Sequence, residues 1–149
     1  MSQKLELLKK VDIFKSLDNS AQNRLENLLG KSVTCEGEDL AVNGGQALFF
    51  FILISGQVII YTEDEKAVVF GKPGDFMGFE LVSSKGRYKA TIKALEDGEV
   101  FLLDRKKFLA MLQEDIPLAK RIMSSWGKYL LKTAPFIEKL DFTGKESIY

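Results

Sequence analysis

A chain of 149 residues, 46% hydrophobic and 28% charged, has the size of one ordinary domain and enough apolar material to bury a core. Its 21 basic and 21 acidic residues cancel, so it lacks the basic excess of a chain that grips phosphate backbones along its length. The sequence has no histidine, which excludes Ser-His-Asp and Cys-His nucleophilic sites and histidine-bearing metal sites, and its one cysteine excludes an intrachain disulfide and a CxxC knuckle.

The chain opens on Met1-Ser2-Gln3-Lys4 and a charged amphipathic segment rather than an apolar signal core, and Ser2 stands where a myristoylation site needs glycine. Residues 3–30 are predicted to be helical in two pieces. Leu5, Leu8 and Val11 recur at helical spacing, and Phe14 and Leu17 lead into a break at Asp18-Asn19-Ser20. Asp18 can cap a second helix carrying Ala21, Leu25, Leu28 and Leu29, with Gly30 ending it. From residue 31 the period changes to two. Val33 and Cys35 alternate with polar neighbours, which predicts Cys35 as a buried small hydrophobe, and Asn43-Gly44-Gly45 is a turn signal.

The longest apolar run, Ala47 to Ile54, has strand length and falls far short of the ~18 residues that span a bilayer. Strands are predicted at Leu48 to Ser55 and Gln57 to Tyr61 about Gly56, and at Lys66 to Gly71 after the acidic tip Glu63-Asp64-Glu65. Lys72-Pro73-Gly74-Asp75 has the Pro-Gly order of a type II turn. Two further strands, near Lys89 to Leu95 and Glu99 to Asp104, meet at Glu96-Asp97-Gly98. Short strands at regular spacing with glycine-rich turns predict a mainly β fold, a barrel or sandwich with helices at each end.

Asp104 can cap a helix holding Phe108, Leu109 and Leu112, and Pro117 suits the first turn of another. That last helix carries the stripe Leu118, Ile122, Trp126 and Tyr129 or Leu130, with Pro135 ending it. Residues 1–132 are expected to form the domain and 133–149 an apolar C-terminal tail.

Four strings in this order resemble a cyclic-nucleotide-binding domain: Phe49-Phe50-Phe51-Ile52-Leu53-Ile54-Ser55-Gly56-Gln57-Val58, Gly71-Lys72-Pro73-Gly74-Asp75-Phe76, Ala90-Thr91-Ile92-Lys93-Ala94 and Val100-Phe101-Leu102-Leu103-Asp104. The likeness covers about residues 5–132. It implies a jelly-roll-like β-barrel with N-terminal helices and a C-terminal lid or dimerisation helix. It also implies a ligand, a cyclic nucleotide, whose phosphate lies in a cassette of the form Gly-Glu-Leu, short helix, Arg-x-Ala-Thr. Helix N–H groups there meet the anion, the arginine forks onto phosphate oxygens, and the glutamate accepts from the ribose hydroxyl.

The corresponding segment is Gly78-Phe79-Glu80-Leu81 through Arg87-Tyr88-Lys89-Ala90-Thr91. With Gly78 and Ala90 fixed at the family positions, Phe79 takes the glutamate slot and Tyr88 the arginine slot, so the cassette reads as degenerate. A register slipped by one residue at each end would instead put Glu80 and Arg87 in those roles. Strand alternation opposes the slip: if Ala90 faces inward so does Tyr88, while Arg87 and Lys89 face out. A third alternative is a retuned pocket, in which backbone N–H groups after Gly78 and the Tyr88 hydroxyl take a different small anion.

Trp126 and Tyr129 lie where the family's lid covers the base, and they either stack on a purine or pack against protein. Lys85, Arg87, Lys89 and Lys93 form a small basic group, read as a solvated strand edge. The carboxylates at Glu36, Glu38, Asp39 and at Glu63, Asp64, Glu65 lack calcium-loop spacing and read as solvated turns. No catalytic constellation emerges, so the expectation is no enzyme, no metal and no resident cofactor.

Seventeen residues follow Lys132, fewer than a helix-turn-helix domain needs, which argues against direct DNA binding. The sequence therefore reads as a soluble cytoplasmic regulatory or adaptor module without a membrane partner. The runner-up is a genuine cyclic-nucleotide sensor. Because a barrel wall closes its own edges, the surface for a protein partner or homodimer is expected in Pro117 to Tyr149, through the C-terminal helix.

Overall fold

A computed structural model describes residues 2–11, 14–63, 66–77 and 87–132, with side chains of the final helix described through Ser124. Helices α1 (Gln3–Leu8) and α2 (Asn19–Leu28) precede strands β1 (Leu29–Thr34), β2 (Asp39–Ala41), β3 (Phe49–Ser55) and β4 (Val58–Tyr61). Strands β5 (Ala67–Phe70), β6 (Phe76–Met77), β7 (Thr91–Ala94) and β8 (Gly98–Asp104) follow, then α3 (Arg105–Glu114) and α4 (Ile116–Lys132).

All the pairings between these strands are antiparallel, in two four-stranded sheets of order β1-β8-β3-β6 and β2-β7-β4-β5. That order is the double sheet of an eight-stranded jelly roll. Among the described residues this jelly roll is two sheets, with β1, β6, β2 and β5 outermost, and not a closed barrel. Strand β2 is short, three residues with a register shift between Asp39 and Ala41.

Turns fall where glycine removes a steric cost. Gly56 links β3 to β4 at φ +89, and a Cβ there would stand 3.0 Å from the Asp97 carbonyl oxygen. Gly74 has φ +96, with Asp75 N–H donating to Lys72 O at 3.0 Å, as the Pro-Gly turn requires.

The apolar run in β3 is explained by burial on both faces, for Phe50, Phe51, Ile52 and Leu53 are all buried. On one face Phe50 stacks on Phe76 at 5.3 Å and meets Phe14 at 5.9 Å, which in turn meets Phe108 of α3 at 6.4 Å. This aromatic chain fastens the N-terminal segment and α3 to the sheet. Such ring pairs add about 0.5–1.5 kcal/mol each to simple burial.

Asp18 caps α2, accepting from Ala21 N–H at 2.9 Å, and Asp104 caps α3, accepting from Lys107 N–H at 3.1 Å. Asp115 caps α4 through Leu118 N–H at 3.0 Å. The caps of α2 and α4 are also tied reciprocally. The second oxygen of Asp115 pairs with Arg24 of α2 at 2.8 Å, and that of Asp18 pairs with Arg121 of α4 at 4.0 Å.

Several local expectations are corrected. Helix α2 ends at Leu28, and Leu29 and Gly30 already belong to β1, paired with Leu103 and Leu102. Cys35 is exposed rather than buried, and Val33 is 65% exposed. Thr34 is the inward residue at the end of β1, so its neighbours on either side turn outward. Cys35 then enters a turn, its N–H donating to Glu38 Oε1 at 2.9 Å. The expected tail, 133–149, lies outside the described residues.

Candidate functional site

The described half of the cassette, Arg87 to Thr91, is stitched to the Asn43-Gly44-Gly45 turn. Tyr88 N–H donates to Gly45 O at 2.9 Å, and Tyr88 O accepts from Gly44 N–H at 2.8 Å. Thr91 Oγ1 accepts from Asn43 N–H at 3.1 Å, and Gln46 and Arg87 form a single antiparallel bridge. Gly44 sits at φ +87, which lets the turn present both its N–H and its carbonyl to this segment.

Side-chain directions alternate along it. Arg87 is exposed, Tyr88 buried, Lys89 half-buried and Ala90 buried. The Arg87 guanidinium lies at the surface, donating to Gly44 O at 2.9 Å. Tyr88 points the other way, its ring stacked on Phe51 at 6.5 Å and 29°. Its hydroxyl donates to Phe49 O at 2.6 Å and accepts from Phe49 N–H at 3.2 Å.

Among the described residues, β6 pairs with β3 at Phe51 and Ile52. The Tyr88 hydroxyl meets both backbone groups of one residue, Phe49. A phenol has one proton to give, and here Phe49 O holds it. An anion beside Tyr88 would have to break that bond to be donated to.

Gly78, Phe79, Glu80 and Leu81 lie outside the described residues, as does Lys85. Trp126 and Tyr129 fall within α4, but their side chains are likewise outside the description. Of the remaining basic group, Lys93 is paired with Asp39 at 3.1 Å. Among the described residues, no three His, Cys, Asp or Glu side chains cluster as metal ligands. No described helix is long and apolar enough to cross a membrane.

Helix α4 presents two apolar faces. Leu118 and Ile122 are fully buried in the chain's own core, whereas Ile116 is 55% and Met123 48% exposed. The stripe read from the sequence is therefore intramolecular at Leu118 and Ile122. The exposed pair, offset from it, was missed because Ile116 and Met123 are a heptad apart, with Ala119 and the charged Lys120 between them on that side of the helix. Phe49, Phe51 and the Asn43 turn were also missed as parts of the site, since only the fold brings them to Tyr88.

The family model of the cyclic nucleotide-binding domain matches residues 33–115, more than half the chain. The chain belongs to the cyclic nucleotide-binding domain family. A cAMP-dependent protein kinase regulatory subunit from Candida albicans is 26% identical over 116 residues, 77% of this chain and 25% of the relative. The chain thus spans about a quarter of the length of the curated relatives it matches. The structure of cAMP-bound PfPKA-R is 27% identical with a TM-score of 0.71, covering 92% of this chain and 46% of that one. The sensor domain of the transcriptional regulator DNR from Pseudomonas aeruginosa is 25% identical with a TM-score of 0.66, covering 87% of this chain and 94% of that one. These relatives of the cyclic nucleotide-binding domain are regulatory components, and this domain is a regulatory module of the same family.

Proposed function

We propose that this domain is a regulatory module whose nucleotide pocket is filled by its own side chains and whose output passes through protein contacts. The observation that carries the reading is Tyr88. In the ungapped alignment it takes the slot of the phosphate-binding arginine, and it is buried, stacked on Phe51 and bonded to Phe49. A cyclic phosphate there loses a forked, charge-assisted contact worth about 1.5–3 kcal/mol, or one to two decades of affinity. Phe79 in the glutamate slot removes the ribose acceptor as well.

The expected result of calorimetry with cyclic AMP, cyclic GMP and cyclic dinucleotides is a dissociation constant above about 100 μM for each. A low-micromolar isotherm that Arg87→Ala abolishes would overturn the reading. It would establish the second one, a genuine sensor using Glu80 and Arg87. That alternative is supported by the cAMP carried by a relative of 27% identity. It requires the segment to turn over, releasing Arg87 from Gly44 and Tyr88 from Phe49.

For the output, the exposed Ile116 and Met123 on α4 offer an apolar face to a partner protein or a second copy. The proposal assigns the chain no catalytic step and no DNA contact. We place it in the cytoplasm, a setting in keeping with the exposed free thiol of Cys35.

A further inference from the structure

The asparagines of the chain are Asn19, Asn23, Asn27 and Asn43, and Asn43 alone is followed by glycine. The other three lie in α2, followed by Ser20, Arg24 and Leu28. An asparagine side-chain amide is open to attack by the next residue's backbone nitrogen, and a glycine there has no Cβ to obstruct the approach. Asn43-Gly44 therefore carries a chemistry of its own besides marking a turn.

The fold controls the attacking nitrogen through the cassette. Gly45 N–H donates to Val42 O at 2.8 Å, closing a turn with Asn43 and Gly44 at its centre. Gly44 stands at φ +87, as the third residue of a type II turn requires. Its N–H donates to Tyr88 O at 2.8 Å, so the nucleophile's proton is held by the Tyr88 segment. The Arg87 guanidinium grips Gly44 O at 2.9 Å, and Thr91 Oγ1 accepts from Asn43 N–H at 3.1 Å. Attack requires Gly44 N to give up that proton, so Gly44 must first leave Tyr88. Water reaches the turn, for Asn43 is half-buried and Gly44 and Arg87 are exposed.

We propose that Asn43 is a deamidation site, gated by the bond from Gly44 N–H to Tyr88 O, whose products loosen the Tyr88 segment. Gly44 N bonds to Asn43 Cγ while the Cγ–Nδ2 bond breaks. The Gly44 proton passes through water to the departing nitrogen, which leaves as ammonia, and a cyclic succinimide remains. A water molecule then opens the ring, at Cγ to give aspartate or at the backbone carbonyl to give isoaspartate. Aspartate puts a carboxylate beside the carbonyl that Arg87 holds, and it draws the guanidinium off Gly44 O. Isoaspartate routes the main chain through the side chain and lengthens it by a carbon just before Gly44. Gly44 N–H and Gly45 O both bond Tyr88, at 2.8 and 2.9 Å, and the longer link puts that pair out of step. The change is slow and runs one way, so it acts as a timer on the cassette. It is independent of whether the pocket takes a nucleotide.

The test is incubation of the full chain in mildly alkaline buffer, with peptide mapping by mass spectrometry to score aspartate and isoaspartate at position 43. The folded chain should form both, about fivefold or more slower than the same chain in denaturing urea, since a hydrogen bond must open first. Arg87→Ala, which removes a surface bond and touches no core, should speed the folded reaction about twofold or more. Tyr88→Phe, which frees the same segment from Phe49, should speed it too, and it decides the matter if Arg87→Ala does not fold. Hydrogen exchange on the modified fraction should show the Gly44 and Tyr88 amides less protected than in the unmodified chain, with β3 and β8 unchanged. The proposal is overturned by a folded chain that yields no product at 43, or by a folded rate equal to the unfolded one. It is equally overturned by a rate that neither variant raises, or by a modified chain whose Gly44 and Tyr88 amides keep their protection.

Discussion

Removing one oxygen atom, in Tyr88→Phe, tests the structural role assigned to that side chain. The ring and its stacking on Phe51 are kept, so packing changes little. Both hydrogen bonds to Phe49 are lost, one at 2.6 Å and one at 3.2 Å, and no described strand pairs with Phe49 on that side. A net loss near 1 kcal/mol per bond, reduced because Phe49 is half-buried and water reaches part of its backbone, gives about 1–2 kcal/mol. At about 2–4 °C per kcal/mol for a chain of this size, the melting temperature should fall by about 2–8 °C. Urea unfolding followed by circular dichroism measures the same quantity, with the slope unchanged. A loss under about 0.3 kcal/mol would refute the claim that the phenol satisfies the Phe49 backbone. A collapse above about 4 kcal/mol would show that the ring, not the hydroxyl, had been disturbed.

The same slot yields a gain-of-function test. Phe79→Glu with Tyr88→Arg should bring cyclic AMP binding into the micromolar range by calorimetry, and cyclic AMP should raise the melting temperature of that variant alone. Tyr88→Arg by itself should lose about 3 kcal/mol or more of stability in denaturant, since it buries a charge without a partner. On α4, Leu118→Ala should cost about 2–5 kcal/mol in urea unfolding, while Met123→Ala should stay within about 0.5 kcal/mol, because the first is fully buried and the second half exposed. Gly56→Ala should cost about 1–3 kcal/mol by the same measurement, from its positive φ and the 3.0 Å approach to Asp97 O.

The parts of this molecule legible in its sequence are those governed by local chemistry. Asp18 and Asp104 announce their helices because a side chain capping an N–H three residues on is a short-range event. Gly56 and Gly74 announce their turns because only glycine takes those φ values without strain. Strand β2, by contrast, is too short to display a period, and only its partner defines it. The parity of β1 was misjudged because Thr34, whose methyl and hydroxyl suit either side, faces inward at the cost of Val33.

At the site, the alternation of Arg87, Tyr88 and Ala90 could be read from the sequence, since a period of two carries across four residues. What Tyr88 touches could not. Its partners Phe49 and Phe51 lie nearly forty residues away, brought there by pairing of strands not adjacent in the chain. Likewise the place of β5 at the end of its sheet became visible only with the strand order, because a short apolar segment looks the same at a sheet's centre and at its rim.

The exchanged arginines at the caps of α2 and α4 bear on how this domain comes apart. Each pair is at the surface and worth at most about 1 kcal/mol alone. Yet Asp115 serves two helices at once, and so does Asp18. Fraying the first turn of α4 withdraws the anion from Arg24, and fraying α2 withdraws the one from Arg121. Residues 91 positions apart in the chain are thereby joined in one unit of local unfolding. Amides of the first and last helical segments should then exchange with a common opening free energy, while β3 and β8, at the centre of their sheet, hold out to global unfolding. A partner that captures α4 would be felt at the N-terminal helices before it was felt in the sheets.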